Sequence, residues 1–268
     1  MELFDTHCHT HEVVRKTTPV YDKWREDGVE RDPDQMIADA RNADVQRMLC
    51  IGTTLTDSEL AIEFVDTRED VWASIGIHPH EASDHQDKSL QERFAALAMA
   101  KKVVAVGECG LDYFYTHSPK EAQIELLKFQ IELALAHNLP LSFHVREAFD
   151  DFWPIFDSYA GIKGVLHSFT DSAENLRRAI DKGLYIGVNG IVTFAKSPEQ
   201  IAMYKAIPLD RLLLETDAPF LTPIPYRGTI CESKHARVTA EYLSDLRGES
   251  LLSIASITTN NARKLFNV

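Results

Sequence analysis

The feature that most restricts the fold of this chain is an alternation running from end to end. Short runs of apolar and β-branched residues are each followed by a stretch of helical periodicity. Eight strand-like runs stand out: LFDTHCH (3–9), RMLCIGT (47–53), VWASIGIHP (71–79), VVAVGECG (103–110), LPLSFHV (139–145), GVLHSFT (164–170), LYIGVNG (184–190) and LLLETDAP (212–219). Between them, 118–138 repeats apolar residues at spacings of three and four, with Ser118 as N-cap, Pro119 at N1 and Asn138 as stop. The stretch 171–183 has the same form and ends on Gly183, and two further helices are expected over roughly 232–246 and 249–265. Repeated β-then-α units predict a parallel α/β sheet. Eight of them favour a closed (β/α)8 TIM barrel over an open doubly wound sheet, which usually shows a Gly-rich phosphate turn after its first strand. No such turn follows residue 9.

The length of 268 residues is near the ~250 typical of such a barrel, and no Ser/Gly/Pro-rich linker or low-complexity tract interrupts it. A single domain over 1–268 is expected. One segment breaks the rhythm: residues 11–32 form a long connection that mixes Arg15, Lys16, Lys23 and Arg25 with Asp22, Glu26 and Asp27. It reads either as a solvated, charge-balanced loop or as a lid that contacts substrate.

The formal net charge of −13 repels a polyanion at long range, so any nucleic-acid role needs a local source of positive charge. Cys8, Cys50, Cys109 and Cys231 form no CxxC pair, which fits reduced thiols in a cytosolic protein. The Met-Glu-Leu-Phe-Asp start has no leader pattern, and no apolar run is long enough to span a bilayer. A cytoplasmic protein with no membrane contact and no obligate protein partner is expected.

Side chains alternate faces along a strand, so in FDTHCHT (4–10) His7 and His9 share one face and Cys8 points the other way. At a strand's C-terminal end, that face looks into the barrel mouth, where active sites of this fold lie. The same parity test selects Glu108, His144 with Arg146, His167, and Glu215 with Asp217; His78 and His80 stand at the end of the third strand. Gathering so many imidazoles and carboxylates on one rim is costly without a shared partner, and a bound cation satisfies them together. Six ligands exceed the need of one tetrahedral ion, so two divalent ions are expected. In that arrangement Glu108 bridges them, His7 and His9 serve one, His144 and His167 the other, and Asp217 stands nearby. Two ions clamp the attacking and leaving oxygens of a displacement and generate hydroxide at neutral pH, which predicts hydrolysis.

In order and position, FDTHCH, GIHPH, VGECGLDY, FHVR, LHSF and LETDAP resemble the TatD family of metal-dependent deoxyribonucleases, within the amidohydrolase-like barrels. The resemblance extends over nearly the whole chain, to TTNNARKLF. It implies a two-metal site and hydrolysis of DNA phosphodiesters, often 3′-to-5′ and preferring single strands or DNA ends. By motif, His7, His9, Glu108, His144, His167 and Asp217 form the ligand set, and His78 contacts substrate phosphate. Where the family usually has an Arg-x-Asn-Glu-Pro-like stretch, this chain reads RGTICESKHA (227–236), keeping only Glu232.

The expected mechanism sends a metal-bound hydroxide at phosphorus, with Glu108 and Asp217 as catalytic carboxylates and Asp217 exchanging the proton. Arg146 either holds a phosphate or pairs with Asp112, and Tyr113 either stacks on a base or packs structurally. Four imidazoles suit zinc, manganese or iron better than magnesium, though activity follows the available ion. Alternatives are ester or amide hydrolysis on the same scaffold, for example aminoacyl-tRNA deacylation, and a non-catalytic binding protein; the filled ligand positions argue against the last.

Overall fold

The computed structural model describes residues 1–268, the Lys88 side chain excepted. Eight strands are present: β1 (Leu3–Cys8), β2 (Val45–Ile51), β3 (Val71–Ile75), β4 (Val103–Asp112), β5 (Leu141–Arg146), β6 (Gly164–Leu166), β7 (Tyr185–Val188) and β8 (Leu212–Leu214). The sheet order follows the sequence from β1 to β8. Helices α1 (Val20–Trp24) and α2 (Pro33–Asn42) follow β1, α3 (Leu55–Asp66) follows β2, α4 (Lys88–Leu97) follows β3, α5 (Lys120–His137) follows β4 and α6 (Phe149–Asp157) follows β5. Then come α7 (Ala173–Asp181), α8 (Pro198–Ala206), α9 (Ala236–Arg247) and α10 (Leu251–Phe266). All eight expected strands form.

The chain divides into two compact units, Met1–Cys50 with His167–Val268, and Ile51–Leu166. In the first, β1 pairs parallel with β2, β7 with β8, and Cys8 bridges in parallel to Ala218 just past β8. Every residue of β1 is buried, as expected of a parallel strand covered on both faces. In the second unit β3, β4, β5 and β6 pair parallel in turn. There α6 places Phe149, Phe152, Trp153 and Phe156 at i, i+3, i+4 and i+7, all buried, with Phe152 5.1 Å from Phe143 of β5. Each such side chain taken from water contributes about 1.5–3 kcal/mol.

Helix α5 starts one residue later than the sequence predicts: Pro119 caps it, and Ser118 is not the N-cap. The Ser118 hydroxyl is used elsewhere, donating to the His80 carbonyl (2.7 Å) and accepting from Ser83 N–H (3.0 Å). Asn138 ends α5 in the left-handed conformation, as expected. The 11–32 connection is anchored and not merely solvated. Buried Trp24 donates its indole N–H to the His9 carbonyl (3.0 Å), and Arg31 donates to the Trp24 carbonyl (2.7 Å) and pairs with Asp27 (2.6 Å). Buried Glu12 accepts from the Thr17 hydroxyl (2.8 Å), closing the start of the segment on itself.

Among the described residues no helix is long and apolar enough to cross a membrane. All four cysteines are buried and free.

Candidate metal centre

In the first unit, hydrogen bonds stitch the ends of β1 and β8 together. Asp5 accepts from the Thr216 amide (2.9 Å) and hydroxyl (2.7 Å), the Asp217 amide donates to the His7 carbonyl (2.8 Å), and the His9 amide donates to the Ala218 carbonyl (2.8 Å). Asp217 takes a positive φ of 61°, turning the chain as it leaves β8. Buried His7 and His9 thereby bring their Nε2 atoms to 3.6 and 3.5 Å from Asp217 Oδ1. The His167 ring stacks on His7 at 3.9 Å, and its Nδ1 lies 3.7 Å from Glu215 Oε1. Gly187 makes room for Glu215, because a Cβ there would strike the carboxylate. Burial pushes the Asp5 carboxyl well above its ordinary value. Burial pushes Asp217 the same way, but the His9 contact and the charges of His7, His167 and His9 outweigh it and hold Asp217 low.

In the second unit, Glu108 and Asp112 on β4 face His144 on β5. His144 Nδ1 lies 2.8 Å from Glu108 Oε1 and its Nε2 lies 2.9 Å from Asp112 Oδ2. Gly110, at φ 151°, permits this approach of the strands, since a Cβ would fall on the His144 carbonyl. His78 Nε2 stands 3.4 Å from the same Glu108 oxygen; burial pulls the His78 ring down to about 4, so it is neutral at pH 7, and its Nδ1 accepts the His80 amide (3.1 Å), which puts the ring's N–H on the Nε2 that faces Glu108. Asp112 also accepts from His80 Nε2 (3.1 Å) and from the Phe114 and Tyr115 amides (3.0 and 3.1 Å). Burial alone would raise the Asp112 carboxyl, but the bonds from His144 and His80 hold it below the usual carboxylate range. Two glutamines on one face of α5 fix the chain on either side. Gln130 pairs with both backbone groups of Ile77 (2.8 and 3.0 Å), and Gln123 pairs with those of Asp112 (2.8 and 3.1 Å).

These residues fit divalent ions. Ligand atoms roughly 2.1 Å from one tetrahedral ion stand about 3.4 Å apart, and hydrogen bonds are shorter than that. The His7–Asp217, His9–Asp217, His167–Glu215 and His78–Glu108 separations, from 3.4 to 3.7 Å, match the former spacing. His7, His167 and Glu215 form one group able to hold an ion, and His78, Glu108 and His144 another. Buried Glu215 Oε2 has no hydrogen-bond partner among the described residues. A neutral imidazole carries one N–H, so His144, lodged between two carboxylates, needs a second proton or a cation at one nitrogen.

His7, His9, His167 and Asp217 come together in one unit, and Glu108 meets His144 in the other. His78, assigned by resemblance to a phosphate, sits among the donors beside Glu108 and His144. Glu215 stands with His7 and His167 in a possible ion-binding group. Arg146 does not pair with Asp112, whose oxygens accept from His80, His144 and two amides; its guanidinium lies 3.8 Å from the centre of the Phe114 ring. Tyr113 is tied down, its hydroxyl donating to Asp151 (2.8 Å) and its ring covered by Lys120 at 3.9 Å. Sequence reasoning missed Asp5, Gln123 and Gln130. Asp5 shares the parity of His7 and His9, and the glutamines are polar positions on the buried stripe of α5.

A parallel (β/α)8 barrel with histidines and carboxylates clustered at its strand ends is the architecture of a metal-dependent hydrolase. The family model described as "TatD related DNase" matches residues 4–267, and the chain belongs to that family. It is a hydrolytic enzyme acting on ester bonds. The "Uncharacterized metal-dependent hydrolase YabD" of Bacillus subtilis (strain 168) is 37% identical over 270 residues, covering 99% of each chain. The "3'-5' ssDNA/RNA exonuclease TatD" of Cronobacter sakazakii is 37% identical over 247 residues, 88% of this chain and 92% of that one. Among solved structures, YJJV, a TatD homolog from Escherichia coli K12, has a TM-score of 0.86 at 28% identity and covers 99% of this chain and 98% of its own.

Proposed function

We propose that this protein is a nuclease that removes nucleotides from the 3′ end of single-stranded DNA by hydrolysing phosphodiester bonds. The observation that carries the reading is the pair of histidine–carboxylate donor groups, in a chain 37% identical to a relative named as a 3′-5′ ssDNA/RNA exonuclease. The proposed ligands are His7, His9, His167 and Asp217 in one unit and Glu108 and His144 in the other, with His78 and Glu215 added by their positions. Two divalent ions, zinc, manganese or magnesium, would be held there. Bound divalent ions supply Lewis-acid polarisation of a phosphoryl oxygen, activation of water at neutral pH, and positive charge in a chain of net charge −13.

The residues divide the remaining work. Asp217, held ionised beside His7 and His9, takes a proton from the attacking water. As the new P–O bond forms in line, the bond to the 3′ oxygen of the preceding nucleotide breaks, and that oxygen receives the proton. Glu108 orients His144 and His78. Arg146 presents planar donors to a phosphate. Unpaired cysteines fit a reducing cytoplasm as the place of action.

The test is digestion of 5′-labelled single-stranded DNA by purified protein with Mg²⁺ or Mn²⁺. A ladder shortening from the 3′ end, lost in His144→Ala, in Asp217→Ala and with chelator, is expected. Intact DNA with hydrolysis of an aminoacyl or other carboxylic ester would overturn the nuclease reading in favour of that substrate class.

A further inference from the structure

We propose that the turn after β4 carries a nucleobase platform, in which Phe114 and Tyr115 stack a base of single-stranded nucleic acid while Arg146 holds the adjoining phosphate. The inference rests on the nuclease reading and names the surface that receives its substrate. Phe114 and Tyr115 are 49% and 43% exposed, unusual for two consecutive large aromatics unless something covers them. Their rings meet edge to face at 4.7 Å. Arg146 is exposed and lies over both rings, 3.8 Å from the centre of Phe114 and 5.1 Å from that of Tyr115. A guanidinium stacked this way keeps its N–H edge free for phosphate oxygens, and among the described residues no carboxylate pairs with it. On the other side, Tyr115 stacks on His117 at 5.6 Å and meets His80 edge-on at 5.4 Å.

The platform is bound to the candidate metal donors through one carboxylate. Asp112 Oδ1 accepts the Phe114 and Tyr115 amides, and Asp112 Oδ2 accepts from His144 and His80. The aromatic turn therefore keeps a fixed position relative to His144. Tyr113 is the wrong member of the motif for stacking, because it is only partly exposed and its hydroxyl is fixed on Asp151, whereas Phe114 and Tyr115 stand out from the surface. A base inside a duplex has both faces covered, so only a single strand or a frayed end can offer a face to the platform. Every base has a π-face, so stacking does not read sequence, and it does not read the 2′-hydroxyl; DNA and RNA single strands should both use it.

The experiment compares wild type with Phe114→Ala/Tyr115→Ala, Arg146→Lys and Tyr115→Trp on single-stranded oligonucleotides with and without an abasic site near the 3′ end. The double variant should raise KM about tenfold on the intact oligonucleotide and abolish the preference for it over the abasic one. Tyr115→Trp should retain that preference. A second readout needs no turnover: quenching of 2-aminopurine in an oligonucleotide titrated onto chelator-treated protein, present in wild type and absent in the double variant. Cleavage with unchanged KM and unchanged discrimination in the double variant overturns the platform alone. Quenching lost in the double variant, from a wild type that cleaves no nucleic acid, supports the platform and overturns the nuclease reading.

Discussion

Replacing Asp112 by Asn keeps the shape of the side chain and inverts one end of its chemistry. With the amide oxygen left on the Phe114 and Tyr115 amides, the NH₂ group faces His144 Nε2 and His80 Nε2, which now donate to a carboxylate oxygen at 2.9 and 3.1 Å. His144 Nε2 must then become an acceptor, and its single proton moves to Nδ1, the nitrogen 2.8 Å from Glu108 Oε1. That proton occupies the lone pair that a metal ion needs. Loss of such a carboxylate partner behind a ligating histidine typically costs 10- to 100-fold in metal affinity, about 1.4–2.8 kcal/mol. Manganese competition against a chromogenic chelator at pH 7.5 measures it. One binding event should weaken by that factor, and nitrogen-15 shifts of His144 should report the exchanged tautomer. Wild-type affinity with an unchanged His144 tautomer would refute the reasoning.

Two further outcomes follow from buried groups. Trp24→Ala should cost about 3–5 kcal/mol in urea unfolding, because it removes a buried indole and its bond to the His9 carbonyl; a change under about 0.5 kcal/mol would mean the segment is an ordinary surface loop. Burial pulls His235 from 6.5 to about 4, and its neutral Nδ1 accepts the Glu232 amide. The unfolded chain therefore binds this proton first. The stabilisation is whole above about pH 6.5 and is lost as pH falls toward 4, by about 3 kcal/mol. Urea midpoints across that window should show the loss, with a shallower slope in His235→Gln; equal slopes would contradict it.

The strands were legible because periodicity records burial, and β1 and β4 are buried throughout. Parity along the strand then selected His7 and Glu108. It served less well past strand ends: β3 stops at Ile75, β6 at Leu166 and β8 at Leu214, so His78, His167 and Asp217 are placed by turns and hydrogen bonds. That is why His78 among the donors was not foreseen by alternation. Asp112 and Gln123 act through bonds to backbone groups and side chains 11 to 32 residues away, and no local pattern encodes those distances. The anchoring of 11–32 comes from Trp24, Arg31 and Glu12, single residues dispersed in a charge-mixed segment whose composition favoured a solvated loop over a lid.

The measurement that tests the central claim most directly is the number of divalent ions bound by chelator-treated protein, titrated calorimetrically with Mn²⁺ beside His9→Ala and His144→Ala. The account predicts two ions per wild-type chain and loss of a different one in each variant. A single ion, or stoichiometry unchanged by both substitutions, would contradict it.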